Sequence, residues 1–433
     1  MTLPHILRLG LRQFAAGMLS VLTLGILNRV MKIELGLNLT LVSLVIGTHY
    51  FAAVIAIPFG HRSDRRPWRG YHRTPYIALG TAFTALTTAL APFVAFFLAE
   101  QRGSLLAAAV GVGLFLLMGA GMYVTGTAYL SLITDLAVEE ERSKVVAITW
   151  AMMMVGILAG VFLGVQVMNY YRPERLATLF LVMAGLVVGL TALAVWGQER
   201  PRAIRPSEEI LTLKQALQLL TISQQTRLFF AFLLGGIFFL FVQQMALEPF
   251  GGDVFGLSVK ETTLFNAYQM VGVLLGMGMA GGRLAKRLGK KTATGLGAVI
   301  STIAFALLAV ASISGSLPLV RPAIFIMGLG MGIFTVGGLA LMMDLTVKEQ
   351  VGLFMGAWTL AQALANGLAS VGGGILHDVG LGLWGSEAGA YALVFLVETG
   401  GLLGIIALLL QVDVAKFRAE VAKLSWHLLA EAT

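Results

Sequence analysis

The 433-residue chain contains no cysteine, which removes disulfides, thiolate chemistry and cysteine-held metals at once. Charge is also scarce. Only 12% of residues are Asp, Glu, Lys or Arg, about half the share of a typical soluble domain. Proline is thin, 11 residues against 52 glycines, so long helices can run without interruption. What remains is 58% hydrophobic. A water-soluble fold has no interior large enough to hide that much apolar surface, and a disordered chain needs low hydrophobicity. The composition is that of a helical integral membrane protein.

A hydrocarbon core takes about 20 apolar residues to cross. On that ruler twelve spans are expected, near 12–33, 39–60, 75–99, 104–135, 145–168, 176–197, 227–247, 259–283, 292–313, 317–343, 351–374 and 387–411. The net charge of +8 lies in loops between these runs, which suits an anionic leaflet better than nucleic acid. If both termini and the loops after even-numbered spans share one face, that face carries twenty-three of the thirty Lys and Arg residues. The positive-inside rule then makes both termini cytoplasmic. The first run follows the basic start of the chain without an A-x-A-like cleavage site, so it is expected to be a retained helix.

The longest polar stretch, 198–226, separates two six-helix halves, 1–197 and 227–412, with a tail at 413–433. Residues 211–220 within it are amphipathic enough to lie on the membrane surface. The halves echo each other. Gly60, Asp64 and Arg65 follow span two, and Gly282, Lys286 and Arg287 follow span eight; Asp135-Leu136 ends span four, and Asp344-Leu345 ends span ten. Such repeats are common in secondary carriers.

Twelve spans, the 6+6 repeat and the G-x-x-x-D-R loop resemble the major facilitator superfamily. That resemblance implies a cytoplasmic charge latch through Asp64 and Arg65. Arg62 and Lys286 depart from the usual pattern and imply a latch that differs between halves. A narrower resemblance covers almost the whole chain. Asn28 to Met31, the His72-Arg73-Thr74-Pro75-Tyr76 segment, Gly126 to Leu130 with Thr134 to Leu136, and Leu247-Glu248-Pro249-Phe250-Gly251-Gly252 resemble the PucC/LhaA family. Its members are light-harvesting complex assembly proteins, also described as bacteriochlorophyll-delivery proteins. The resemblance implies an all-α fold of twelve helices in a thylakoid or bacterial inner membrane. It further implies chlorophyll or bacteriochlorophyll as cargo, and antenna or photosystem subunits as partners.

Several polar side chains are candidates for function. His49, near the middle of span two, can ligate a pigment magnesium or simply bond a neighbouring helix. Glu398, central in span twelve, can couple proton movement or serve as a protonated brace. Arg29, beside Asn28, can hold a cargo carbonyl, reach Glu248, or snorkel to headgroups. Gln243 and Gln244 can line a cavity or cross-link helices. Asp135 and Asp344 end helices where negative charge is unfavourable; Arg142, Lys144 or Arg65 can serve the first, and Lys348 or Arg287 the second. With Asp64 and Arg65 they form the expected gate. The glycine series at 156, 160 and 164 and at 328, 330 and 332 lies inside apolar helices, so close packing explains it rather than nucleotide binding. No H-E-x-x-H or G-x-S-x-G pattern occurs, so enzymatic catalysis is not expected, nor any metal beyond a pigment magnesium.

Three functions remain open: a pigment-handling assembly factor, a proton-coupled transporter of a small solute, and a non-transporting scaffold for antenna subunits.

Overall fold

A computed structural model of the chain describes residues 1–55, 59, 68, 70–199, 224–281, 285–344, 351–413 and 416. The elements used below are α1 (Leu3–Ser20), α2 (Leu39–Phe51), α3 (Thr74–Glu100), α4 (Leu105–Leu136), α5 (Glu139–Val167), α6 (Pro173–Val195), α7 (Gln224–Phe241), α8 (Leu247–Phe255), α9 (Val259–Met279), α10 (Lys290–Ser314), α11 (Leu317–Asp344), α12 (Val351–Trp384) and α13 (Glu387–Gln411). The protein is all-α and spans the membrane many times.

Among the described residues nine helical stretches are long and apolar enough to cross a membrane, against the twelve expected. The shortfall has three local origins. Span two is the shorter apolar stretch Leu39–Ile55, and residues 56–58 lie outside those described. Span eight forms α9 but carries Lys260, Glu261, Asn266 and Gln269, which dilute its apolar character. Span eleven is the 34-residue α12, whose side chains at 351–358 are not among those described. The surface helix expected at 211–220, the Asp64–Arg65 loop and most of the tail also lie outside the described residues.

Local chemistry explains several helix ends. Asn38 caps α2 by accepting from the Leu41 amide at 2.9 Å, and Ser104 caps α4 through the Ala107 amide. Thr74-Pro75 opens α3, where proline lacks only an amide that would be orphaned anyway. Threonines are tolerated within α3 because Thr84, Thr87 and Thr88 each donate to a carbonyl four residues back, at 2.7 to 2.9 Å.

By internal packing the chain forms two units: Met1–Ile210 with Gln244–Ala267 and Ser370–Glu387, and Leu211–Gln243 with Tyr268–Ala369 and Ala388–Thr433. In the first, α1 crosses α5 at very close range; a Cβ on Gly156 would collide with the Phe14 carbonyl. Its core includes Ile6, Ile77, Tyr129, Leu132 and Ile133, and the Tyr129 hydroxyl donates to the Leu9 carbonyl at 2.8 Å. In the second, Gly328 on α11 meets the Gln269 backbone of α9 with equal closeness. Phe232 and Phe334 stack there with ring centroids 5.7 Å apart. Lys291 donates to the Val412 carbonyl at 2.7 Å, neutralising the C-terminus of α13.

Candidate functional site

Span one does not remain α-helical. Beyond α1 the backbone widens into π turns at Val21–Leu27 and Val30–Glu34, a geometry concentrated at functional positions. Asn28 and Arg29 sit between them. The Asn28 amide donates to the Met245 carbonyl at 2.9 Å, while its own carbonyl oxygen is buried without a partner. The widened turn also places Gly25 against Glu248, where a Cβ would overlap the carboxylate. Glu248 accepts from the Asn266 amide, and its second oxygen is buried and unpartnered.

Close by in sequence, Gln244 accepts from the Tyr50 hydroxyl at 3.2 Å. The Tyr50 ring lies 3.9 Å from that of His49. His49 is 7% exposed, and its Nδ1 lies 2.6 Å from the Ile46 carbonyl. A carbonyl only accepts, so Nδ1 carries the proton and Nε2 carries the lone pair. That lone pair has no partner among the described residues. Two polar groups are thus formed, Asn28, Glu248 and Asn266 about the widened turn and Gln244 with the Tyr50–His49 pair. Buried oxygens left unpaired in an apolar setting are costly, and Asn28 and Glu248 each hold one here.

Arg29 is placed differently from the expected Glu248 contact. It pairs with Glu34 at 2.8 Å and donates to the Leu257 carbonyl at 2.7 Å. The π turn brings Glu34, only five residues on, around to the guanidinium, so the nearer carboxylate takes the charge.

Just beyond lies a cluster that the sequence reading missed. Lys32 lies 3.4 Å from Asp253 and 3.1 Å from Glu387. Glu387 also meets His377 Nε2 at 2.8 Å, and His377 Nδ1 meets Asp378 at 2.9 Å. Asp378 in turn accepts the Leu39 and Thr40 amides at the start of α2. His377 and Asp378 lie in the last turns of α12, beyond residue 374 where the expected span ends. Burial alone would raise the Asp378 carboxyl, but bonds from His377 and Thr40 hold it down at about 2. Burial would lower His377, yet its bonds to Asp378 and Glu387 leave it raised. Asp253, His377 and Glu387 bring metal-ligating atoms within 4.8 Å of one another, but the Lys32 ammonium already supplies the counter-charge there. The signal in the sequence was a set of ionisable residues at the ends of spans one, seven, eleven and twelve.

The remaining candidates separate. Glu398 is 0% exposed; one oxygen accepts the Gln243 amide at 2.7 Å and the other has no partner. The Gln243 side-chain oxygen is likewise buried and unpartnered. Asp135 pairs with Arg73 at 3.2 Å, not with Arg142, which donates to the Thr134 carbonyl. Arg73 reaches it because it opens α3 beside the end of α4; Arg65, another candidate, lies outside the described residues. Arg287 is exposed. Asp64 and Arg65 lie outside the described residues, as does the side chain of Asp344.

The family described as "PUCC protein" matches residues 26–417. Two Rhodobacter capsulatus proteins are similar along nearly their whole length. One is named "Bacteriochlorophyll synthase 44.5 kDa chain", 34% identical over 421 residues, covering 93% of this chain and 95% of that one. The other is called an uncharacterized protein in the puhA-bchM intergenic region, 32% identical, covering 94% and 89%. "Protein PucC" of Rhodovulum sulfidophilum is 32% identical, covering 87% and 85%. Among solved structures, the nucleoside transporter NupG (D323A mutant) superposes with TM-score 0.69 at 14% identity, covering 96% of this chain and 99% of that one. A bacterial homolog of the human lysosomal transporter Spinster gives 0.69 at 14%, covering 98% and 99%. These likenesses establish a transporter-type fold.

Proposed function

Because the chain belongs to the PucC family and carries a transporter-type fold, we propose that it is a membrane carrier whose cargo is a chlorophyll or bacteriochlorophyll. On this reading it hands pigment to light-harvesting or photosystem complexes as they assemble. Twelve helices in two six-helix halves, 1–197 and 227–412, form the carrier in a photosynthetic membrane, with both termini and the 198–226 linker cytoplasmic.

The observation that carries the reading is His49. Its Nδ1–H is fixed on a backbone carbonyl, which leaves Nε2 free to ligate the magnesium of a tetrapyrrole. Gln244, bonded to the Tyr50 beside His49, and the amides of Asn28 and Asn266, with Glu248 next to them, would face the carbonyl substituents of the ring. Transfer between vesicles tests this. Pigment-loaded donor vesicles holding the protein should pass pigment to acceptor vesicles containing antenna polypeptides faster than protein-free donors do. Equal rates would overturn the reading.

A second reading rests on Glu398. A buried carboxyl with one oxygen unpartnered is suited to taking and releasing a proton, as a proton-coupled carrier of a small solute requires. Solute flux that collapses with the pH gradient, and in Glu398→Gln, would favour it. Co-isolation with antenna subunits but without pigment would favour a scaffold.

A further inference from the structure

Arg12 belongs to α1, inside the membrane-spanning stretch Leu3–Glu34. It is half-buried, and its surroundings are neutral. It donates to Gln13 Oε1 at 2.6 Å and weakly to the Met122 carbonyl at 3.4 Å, and its guanidinium lies 5.4 Å above the Tyr129 ring. Among the described residues no carboxylate pairs with it. A cation inside a helix bundle normally has a partner, because a buried charge left without one is costly.

Arg12 borders a small hollow of about 30 Å³ whose wall includes Thr81 and Thr191. The same two threonines line a larger crevice of about 390 Å³ between α3 and α6. The mouth of that crevice is formed by the exposed, mostly small residues Ala78, Ala82, Val188 and Ala192, so it opens on the outer face of this unit. Its walls are predominantly apolar. Thr81, which borders both spaces, is 6% exposed, and its buried hydroxyl has no hydrogen-bond partner. The acid that also lines the crevice, Glu199, is already occupied. It accepts the His72 and Arg73 amides on one oxygen and the Thr74 amide on the other. Among the described residues Arg12 is therefore left without a carboxylate partner.

We propose that this crevice binds a long-chain carboxylate taken sideways from the bilayer. The hydrocarbon chain lies between α3 and α6, and the carboxylate meets Arg12 and the Thr81 hydroxyl. The size of the hollow favours this head group. About 30 Å³ of room for the centres of water-sized groups accommodates a water or two, which suits carboxylate oxygens better than a phosphodiester with its glycerol. A guanidinium and a hydroxyl donor are the complement that a carboxylate requires. The assignment is independent of the pigment reading, which rests on His49.

The test uses the full-length protein in nanodiscs and a fluorescent long-chain fatty acid. Wild type should bind the acid, and its methyl ester should bind at least about tenfold more weakly, the loss expected for one charge-assisted contact. Arg12→Gln should weaken acid binding by a similar factor. Should that variant fail to fold, Ala82→Trp, which fills the mouth from the exposed face, should also abolish binding. Thr81→Val should weaken it severalfold. Equal affinity for acid and ester would overturn the proposal, as would undiminished binding to Ala82→Trp. Equally effective displacement of the acid by phosphatidylglycerol would assign the crevice to diacyl lipid and overturn it too.

Discussion

Lys32 Nζ lies 3.1 Å from the Glu387 carboxylate across a separation of 355 residues, and the same ammonium reaches Asp253. One cation therefore ties the end of span one to the segment after span seven and to the start of span twelve. The groups are part-buried, so the pairs are screened but not negligible. Lys32→Ala leaves two carboxylates without their ammonium and should cost about 1–2 kcal/mol, read as a lower melting temperature of the purified protein. A cycle with Asp253→Ala should show coupling; strict additivity of the two losses would contradict the contact.

The neighbouring His377–Asp378 pair sets a pH window. A raised histidine contributes fully below its ordinary value of 6.5 and loses that contribution as pH rises through the raised value. A depressed carboxyl contributes fully above its ordinary 3.8 and loses it as pH falls toward about 2. The groups facing the imidazole are Asp378, Glu387 and, beyond Glu387, Lys32. Stability from this cluster should be greatest between mildly acidic and near-neutral pH and decline in alkali. Thermal melts of wild type and His377→Gln should converge as pH is raised; parallel curves would contradict the assignment.

At Glu398 the Gln243 amide needs an acceptor, and glutamine supplies one of the same size. Glu398→Gln should melt near wild type, whereas Glu398→Ala strands the amide and should lose about 1–3 kcal/mol. Proton coupling makes a different demand, since the glutamine variant would then be stable yet unable to sustain gradient-driven flux.

Gly156 tests the helix crossing. A leucine there would push against the Phe14 backbone of α1 and should cost about 1–3 kcal/mol through overpacking, seen in the yield and melting of the detergent-solubilised protein. Unchanged melting would place α1 further from α5.

Much of this was legible in the sequence because the bilayer constrains length and polarity so strongly. The apolar runs mark the helices, and glycines four apart on span five mark a close helix approach, which the structure makes with α1. Residue-level partners were harder to read. Asp135 was open to Arg142, Lys144 or Arg65 by proximity in the chain, but Arg73 reaches it because the starts and ends of different helices share a membrane face. For Arg29 the sequence leaves a cargo carbonyl, Glu248 and the headgroups open; the π turns, which no local pattern announces, bring Glu34 within reach. Arg12 stands at the first residue of the expected span 12–33, where a charge ordinarily marks the edge of a span. Nothing local distinguishes a guanidinium that precedes a helix from one folded into the bundle.

The central claim is a pigment held on His49. Its most direct test is the absorption spectrum of the protein, gently solubilised from a membrane that makes bacteriochlorophyll or supplied with it. Wild type should retain pigment with a visible band displaced from that of free pigment in the same detergent, and His49→Ala should lose the band while remaining folded. A colourless wild-type protein, or an undiminished band in the variant, would contradict it.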